Sequence, residues 1–425
     1  MTKGARPTRV RHVVLWLTVL AYMVTYMDRV VISIAAPSIQ EEFGFSTIVM
    51  GWIFFAFQIS YALFQIPGGW LGDRFGPRRA LALVVSWWSA FTALTAAAWS
   101  AASMIVVRFL FGMGEAGAFP IATRSLSRWM LPSERGWAQG VTHAGARLGA
   151  AVTPVLVAFI ILHLGWRAPF LIFALVGLAW AAVWFLYYRD TPREHSGVNA
   201  PELDMIESAL GARSRARKSV PWRQLLSNPQ IWLLSAMYFC YGYAIVTFLA
   251  WFPKYLDEAR GLELAQMGLY ASAPLAAGVL GDLAGGWFSD HLFRRSRNLK
   301  MARRLVAVAG FLVAGITVPL AVLIADPLVS VACFAVAVFG LELTVGVSWA
   351  VTLDMGGEYA GSVSAVMNTF GNTAGALTSV ATGYLVTHFG WTSAFNVVAG
   401  FALAGAVLFL WLDASRRLYA DPASE

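Results

Sequence analysis

Cysteine is nearly absent from this 425-residue chain: only Cys240 and Cys333 occur, each inside an apolar run, which excludes a disulfide framework and a thiolate metal site. Charge is scarce too, at 13% of residues, and there are six histidines. No HExxH, no GxSxG, no glycine loop followed by Lys-Ser or Lys-Thr and no Cys/His ligand spacing is present. The motifs of metalloprotease, serine-hydrolase and nucleotide-dependent chemistry are therefore missing. The chain reads as a non-enzyme without cofactor or metal. A transporter-like sensor would need an output module, and neither the ~40-residue polar interval near the middle nor the short C-terminal tail could fold as one.

Apolar residues, by contrast, make up 58% of the chain. They fall in runs such as Val13 to Tyr26, Ala80 to Trp99, Phe170 to Tyr188, Leu305 to Ile324 and Phe395 to Leu412, long enough or nearly so to cross ~30 Å of hydrocarbon as helices. Twelve spans are predicted near 13–36, 48–71, 80–99, 104–127, 137–162, 167–188, 230–255, 267–289, 304–324, 328–352, 362–387 and 392–412. The first has no small-residue cleavage site and carries Asp28 and Arg29, so a retained helix is expected, not a signal peptide.

On this map 25 of the 31 Lys and Arg collect on one side, and only Arg167, Lys254 and Arg260 lie opposite. The +8 net charge is thus an orientation signal, with no nucleic-acid partner implied. The positive-inside rule places both termini in the cytoplasm, which requires an even number of spans.

The interval 191–228 is the one long polar stretch, with a basic cluster at Arg213, Arg215, Arg217 and Lys218. It reads as a solvated cytoplasmic linker between an N-terminal bundle, 1–190, and a C-terminal bundle, 229–425; the basic cluster reads as a topology signal or an anionic-lipid contact. An internal repeat supports the division. Met50-Gly51, Gly68-Gly69-Trp70 and Asp73 recur as Met267-Gly268, Gly285-Gly286-Trp287 and Asp290, while Gly165-Trp166 and Phe170 recur as Gly390-Trp391 and Phe395. Parallel repeats of six helices place a substrate path between the halves near the bilayer midplane.

After the second span the chain reads GGWLGDRFGPRR, the spacing of the loop motif that marks the major facilitator superfamily. A degenerate copy with Asp290 follows at GGWFSDHLFRR. Gly69, Asp73, Arg74, Gly76, Arg78, Arg79 and Asp290 are expected to gate the cytoplasmic side, small glycines permitting close helix approach and Asp73 capping or pairing across helix ends. The other reading is a structural basic turn.

YMDR, QIPGGW, RFLFGMGEAGAFP and the Asn-bearing eleventh span extend the likeness over nearly the whole chain. Together they resemble the anion:cation symporter family, which includes bacterial sugar-acid transporters and the sialin and vesicular glutamate transporter group. The resemblance implies an all-α fold of twelve helices in two pseudo-symmetric bundles and a functional monomer in the inner membrane. It also implies proton-driven uptake of a small organic anion, with sodium left open as the coupling ion. It assigns anion and proton handling to Asp28, Arg29, Arg108 and Glu115, and places Tyr26, Tyr61, Trp349 and Asn368 around the substrate, with Asn372 a weaker ligand.

Physical chemistry alone points the same way. A charge at the bilayer centre costs at least ~2.5–3.5 kcal/mol, so each needs a partner or a wet cavity. Arg108 and Glu115 share one face of the fourth span. A carboxylate balanced between burial and a nearby arginine can load and release a proton, and an arriving anion shifts that balance. Arg29 and Arg108 are therefore candidate anion holders, bidentate by their planar forks, with Asp28 and Glu115 the proton carriers. A structural Arg108–Glu115 pair is the alternative.

The repeat maps His143 onto Asn368 and Arg147 onto Asn372. His143 is read as a relay or a hydrogen-bonded structural residue. Arg147 and Asp282 are charges that depart from the sugar-acid pattern, expected either to pair across the two halves or to leave Arg147 as a second anion anchor. Glu342 reads as a third titrating group or part of a hydrogen-bonded lining. A proton-coupled drug or metabolite exporter of the same superfamily is the rival function, disfavoured because Arg29, Arg108 and Arg147 outnumber Asp28 and Glu115.

Overall fold

Apolar runs separated by short connections leave the backbone no partner in lipid except itself, so helices are the form each run must take. The computed structural model describes residues 6–131, 134–211, 222–356, 359–416 and 418. Its spanning helices are α1 Val10–Phe43, α2 Thr47–Gly72, α3 Arg74–Ala96, α4 Ala101–Trp129, α5 Trp137–Leu164, α6 Ala168–Tyr187, α7 Pro229–Ala250, α8 Leu264–Ser296, α9 Leu299–Leu323 and α10 Pro327–Gly356. An eleventh segment, Ser362–Trp411, bends at Gly390 into α11 and α12. The described residues thus form twelve spanning helices in two six-helix bundles, as the apolar pattern predicts.

Helix ends depart from the prediction because helical hydrogen bonding continues past the apolar stretch. The expected loop at 72–79 is helical but for one residue: Gly76, at φ +76°, breaks the helix with a left-handed turn two residues past the start of α3. The linker is also more ordered than a solvated loop. It holds a helix, Ala200–Gly211, whose fully buried Glu202 accepts from the Val10 and Arg11 amides at 3.2 Å each, capping α1 with a carboxylate. The basic cluster at Arg213, Arg215, Arg217 and Lys218 lies outside the described residues.

Both termini and the linker share one end of the molecule, since the Thr8 amide donates to Asn199 and Asn228 donates to the Leu418 carbonyl. At the opposite, far end the repeat acquires a physical reason. Gly165 and Gly390, at φ +80° and +76°, turn α5 into α6 and α11 into α12. The following indoles each donate to a glutamate, Trp166 to Glu42 at 2.7 Å and Trp391 to Glu258 at 3.1 Å.

The halves meet along two equivalent seams, α2 on α11 and α8 on α5. Gly51 and Gly268, repeat counterparts, sit at the crossings. A Cβ on Gly51 would lie 2.7 Å from the Ser379 carbonyl, and one on Gly268 2.8 Å from the Pro154 carbonyl, so only glycine lets these backbones approach.

Candidate functional site

The site is built where α1, α2, α4 and α5 of one half face α7 and α11 of the other. A cavity of about 140 Å³ lies there, lined by Tyr26, Arg29, Arg108 and Arg147 from the first half and Tyr238, Tyr241, Asn368 and Asn372 from the second. Small residues make room for it: a Cβ on Gly242 of α7 would fall 2.4 Å from the Gly371 carbonyl of α11. Likewise α4 loosens for two residues after Glu115, where Gly68 of α2 crosses Gly117 closely enough that a Cβ would meet its Cα at 2.5 Å.

Arg29 stands at the centre. Its Nε donates to Glu115, and its guanidinium carbon lies 4.4 Å from the Tyr61 ring and 5.0 Å from the Tyr26 ring, cation–π contacts that hold the fork in place. Its Nη2 has no hydrogen-bond partner among the described residues. Arg108, 1% exposed, stacks between Phe57 and Phe111 and has no hydrogen-bond partner at Nε or Nη1 among those residues. Glu115 therefore takes Arg29 as its ion partner and interacts with Arg108 only electrostatically, so the same-helix Arg108–Glu115 pair is not what forms.

Asp28 is fully buried and turned away from the cavity, accepting from the Trp88 indole at 3.0 Å through Oδ2 while Oδ1 is unpartnered among the described residues. Neither Asp28 nor Glu115 lines the cavity; both stand behind the arginines. Tyr61 likewise lies under Arg29, and Trp349 lies behind Tyr238, donating to its hydroxyl at 3.2 Å. Asn368 and Asn372 do reach the cavity, and Asn372 Nδ2 is buried without a partner among the described residues. His143 is part-buried beside the rings of Tyr22, Phe119 and Trp349.

Arg147 crosses to the other half, as expected, but to a different acid. It contacts Glu342 of α10 at 2.9 Å and donates to the Tyr241 hydroxyl at 3.3 Å, while Asp282 acts on it only through the longer-range field. Asp282 lies nearer the terminal end of α8, against Gly346 of α10. Tyr241 in turn donates to Glu342 Oε1 at 3.0 Å. The spacing of Tyr238 and Tyr241, one helical turn apart inside an apolar run, was the signal that could have marked them.

The loop-motif residues make contacts inside their own halves. Gly76 and the Arg78 amide cradle Asp190 at the end of α6, the latter at 3.1 Å. Arg78 stacks on Phe185, Arg74 on Trp70, and Gly69 abuts Pro120, while Arg79 is exposed. Asp290 pairs with Arg303, which also binds Asp354. The Asp73 side chain lies outside the described residues.

Two helical bundles enclosing a polar cavity at their seam are the architecture of secondary transporters, proteins whose work is passage and not chemical conversion. The chain belongs to the Major Facilitator Superfamily, whose sequence profile matches residues 18–379.

Among its relatives are the anion carriers to which the narrower resemblance pointed. It is 40% identical over 407 residues to the probable sulfoacetate transporter SauU of Cupriavidus necator, covering 95% of this chain and 94% of that one. It is 32% identical over 388 residues to the hexuronate transporter of Bacillus subtilis, covering 90% of each. In fold it matches a bacterial homolog of the human lysosomal transporter Spinster, with TM-score 0.75 at 19% identity, over 99% of this chain and 100% of that one.

Proposed function

We propose that the protein is a proton-coupled symporter that takes up a small organic anion by alternating access, oriented with both termini in the cytoplasm of the inner membrane. The observation that supports this best is the set of three arginines on one inter-half cavity, with buried N–H groups of Arg29 and Arg108 left unpartnered among the described residues. Buried donors without acceptors are costly unless a ligand satisfies them, and guanidinium forks match carboxylates. The substrates in the names of the relatives, sulfoacetate and hexuronate, are of this chemical class.

In this reading an incoming carboxylate competes with Glu115 for Arg29. Glu115, fully buried, is then a carboxylate with its nearest cation withdrawn, the condition in which it takes a proton from the open side. Asp28, beside Arg108 in the same four-charge cluster, is the second group able to carry one. Reopening on the other side reverses the exchange: the anion leaves, Arg29 re-pairs with Glu115 and the proton departs.

Reconstituted vesicles test the proposal. An inward proton gradient should drive concentrative uptake of a carboxylate that thermally stabilises the purified protein, and Glu115→Gln should abolish uphill uptake while leaving downhill exchange. Uptake driven by a sodium gradient alone would replace the proton, and anion-independent efflux of lipophilic cations would overturn the reading.

A further inference from the structure

The cavity carries two arginine–glutamate pairs where one would serve a single carboxylate, and the second has the looser geometry. Arg147 and Glu342 Oε2 are in charge contact at 2.9 Å, yet that oxygen has no aligned hydrogen bond among the described residues. Arg147 is held instead at one corner of a triangle with Tyr241 and Glu342. A charge contact without hydrogen-bond alignment is one that a better-shaped acceptor can displace, and Glu342 would keep the Tyr241 hydroxyl after losing Arg147. Asn372, the repeat counterpart of Arg147, lines the same cavity with a buried amide nitrogen that has no partner among the described residues.

We propose that Arg147 is a second anion anchor, so that the substrate is a short dianion held between Arg29 on α1 and Arg147 on α5, one acidic group at each. This rests on the anion reading above and narrows it. The Arg29 and Arg147 guanidinium carbons lie 5.0 and 6.0 Å from the centre of the same Tyr26 ring. They are therefore about 11 Å apart at most, and with roughly 4 Å between the carbons of each bidentate pair this leaves at most about 3 Å between the ligand's two acid centres. Acids separated by one or two carbons fit that gap; acids at the ends of a four-carbon chain do not fit it extended.

Binding to the detergent-purified full chain, followed by calorimetry at a pH where both acids are ionised, tests this with acetate, malonate, succinate and adipate as probes. The wild type should bind malonate or succinate at least tenfold tighter than acetate or adipate. Arg147→Gln should erase that preference, weakening malonate and succinate at least tenfold, to the affinity of acetate. Glu342→Gln, which removes the competing carboxylate and spares Arg147, should tighten the short dianions severalfold, and it keeps the proposal open to refutation should Arg147→Gln fold poorly. Equal affinity for acetate and the short dianions in the wild type would overturn the second anchor while leaving the anion reading standing. A folded Arg147→Gln protein that retained the preference would do the same, as would a Glu342→Gln protein with unchanged dianion affinity. Failure of all four probes to bind would sink both.

Discussion

The Arg29–Glu115 and Arg147–Glu342 pairs use the same two residue types beside the same cavity, but the first joins α1 to α4 within one half and the second joins α5 to α10 across the seam. The difference matters because the halves of such a transporter move against one another largely as rigid bodies. A pair inside one half keeps its geometry through that motion, and only a ligand or a proton can part it. A pair across the seam is parted by either. The first is thus a chemical device and the second a mechanical one as well, and the partners around them agree: Arg29 is wedged among the aromatic rings of Tyr26, Phe57, Tyr61 and Phe119, while Arg147 reaches over open cavity to a hydroxyl and a carboxylate.

The largest expected effect is on stability. Removing Arg29 leaves a fully buried Glu115 with no ion partner in reach other than Arg108, a change of the kind that costs about 3–5 kcal/mol. Removing Arg147 leaves Glu342 its hydrogen bond from Tyr241, so the loss should be less than half as large. Thermal unfolding of Arg29→Gln and Arg147→Gln in detergent would show this as a clearly lower melting temperature for the first. Equal losses would mean that the seam pair is as fixed as the internal one.

A wedge at the far end should separate the two pairs further. A valine at Gly268 must push α8 away from the Pro154 carbonyl of α5, seven residues along the helix that carries Arg147, whereas α1 and α4 are untouched. Double-mutant cycles measure the coupling within each pair. In the Gly268→Val background the Arg147/Glu342 coupling should fall by about 1 kcal/mol or more, while the Arg29/Glu115 coupling stays within experimental error. A parallel fall in both would show that the halves do not move as units.

The sequence made the scaffold legible because bilayer thickness imposes helix length and the repeat announces itself in glycines. Met-Gly and Gly-Trp recur because the seams and the left-handed turns require them at Gly51, Gly268, Gly165 and Gly390. Helix ends were less legible: hydropathy marks where lipid stops, but hydrogen bonding carries α1 to Phe43 and α8 to Ser296. The charged residues of the site could be named from their cost in lipid, since Asp28, Arg29, Arg108, Glu115 and Arg147 each demanded a partner. Which partner each takes depends on helix rotation and on crossings such as Gly68 over Gly117, which no one-dimensional pattern contains. Arg147 therefore reached Glu342 and not Asp282, and the one-turn spacing that marks Tyr238 and Tyr241 does not say which of the two hydroxyls faces the charges.

The finest distinction between the two pairs lies in their tyrosines. Tyr61 holds Arg29 by its ring face at 4.4 Å, and Tyr241 holds Arg147 and Glu342 by its hydroxyl at 3.3 and 3.0 Å. Phenylalanine keeps a ring and deletes a hydroxyl, so the same substitution interrogates the two modes separately. Tyr241→Phe removes hydrogen bonds to charged groups and should cost about 1.5 kcal/mol or more. Tyr61→Phe preserves the cation–π contact and loses only the hydroxyl's weaker contact with Arg29, so it should cost less, about 1 kcal/mol or under. Because the hydroxyl is also what remains to Glu342 when a ligand takes Arg147, Tyr241→Phe should weaken a short dianion more than a monocarboxylate. A Tyr241→Phe protein with unaltered stability and unaltered discrimination would show that Glu342 is not left waiting on that hydroxyl, and the seam pair would then resemble the internal one more closely than its geometry suggests.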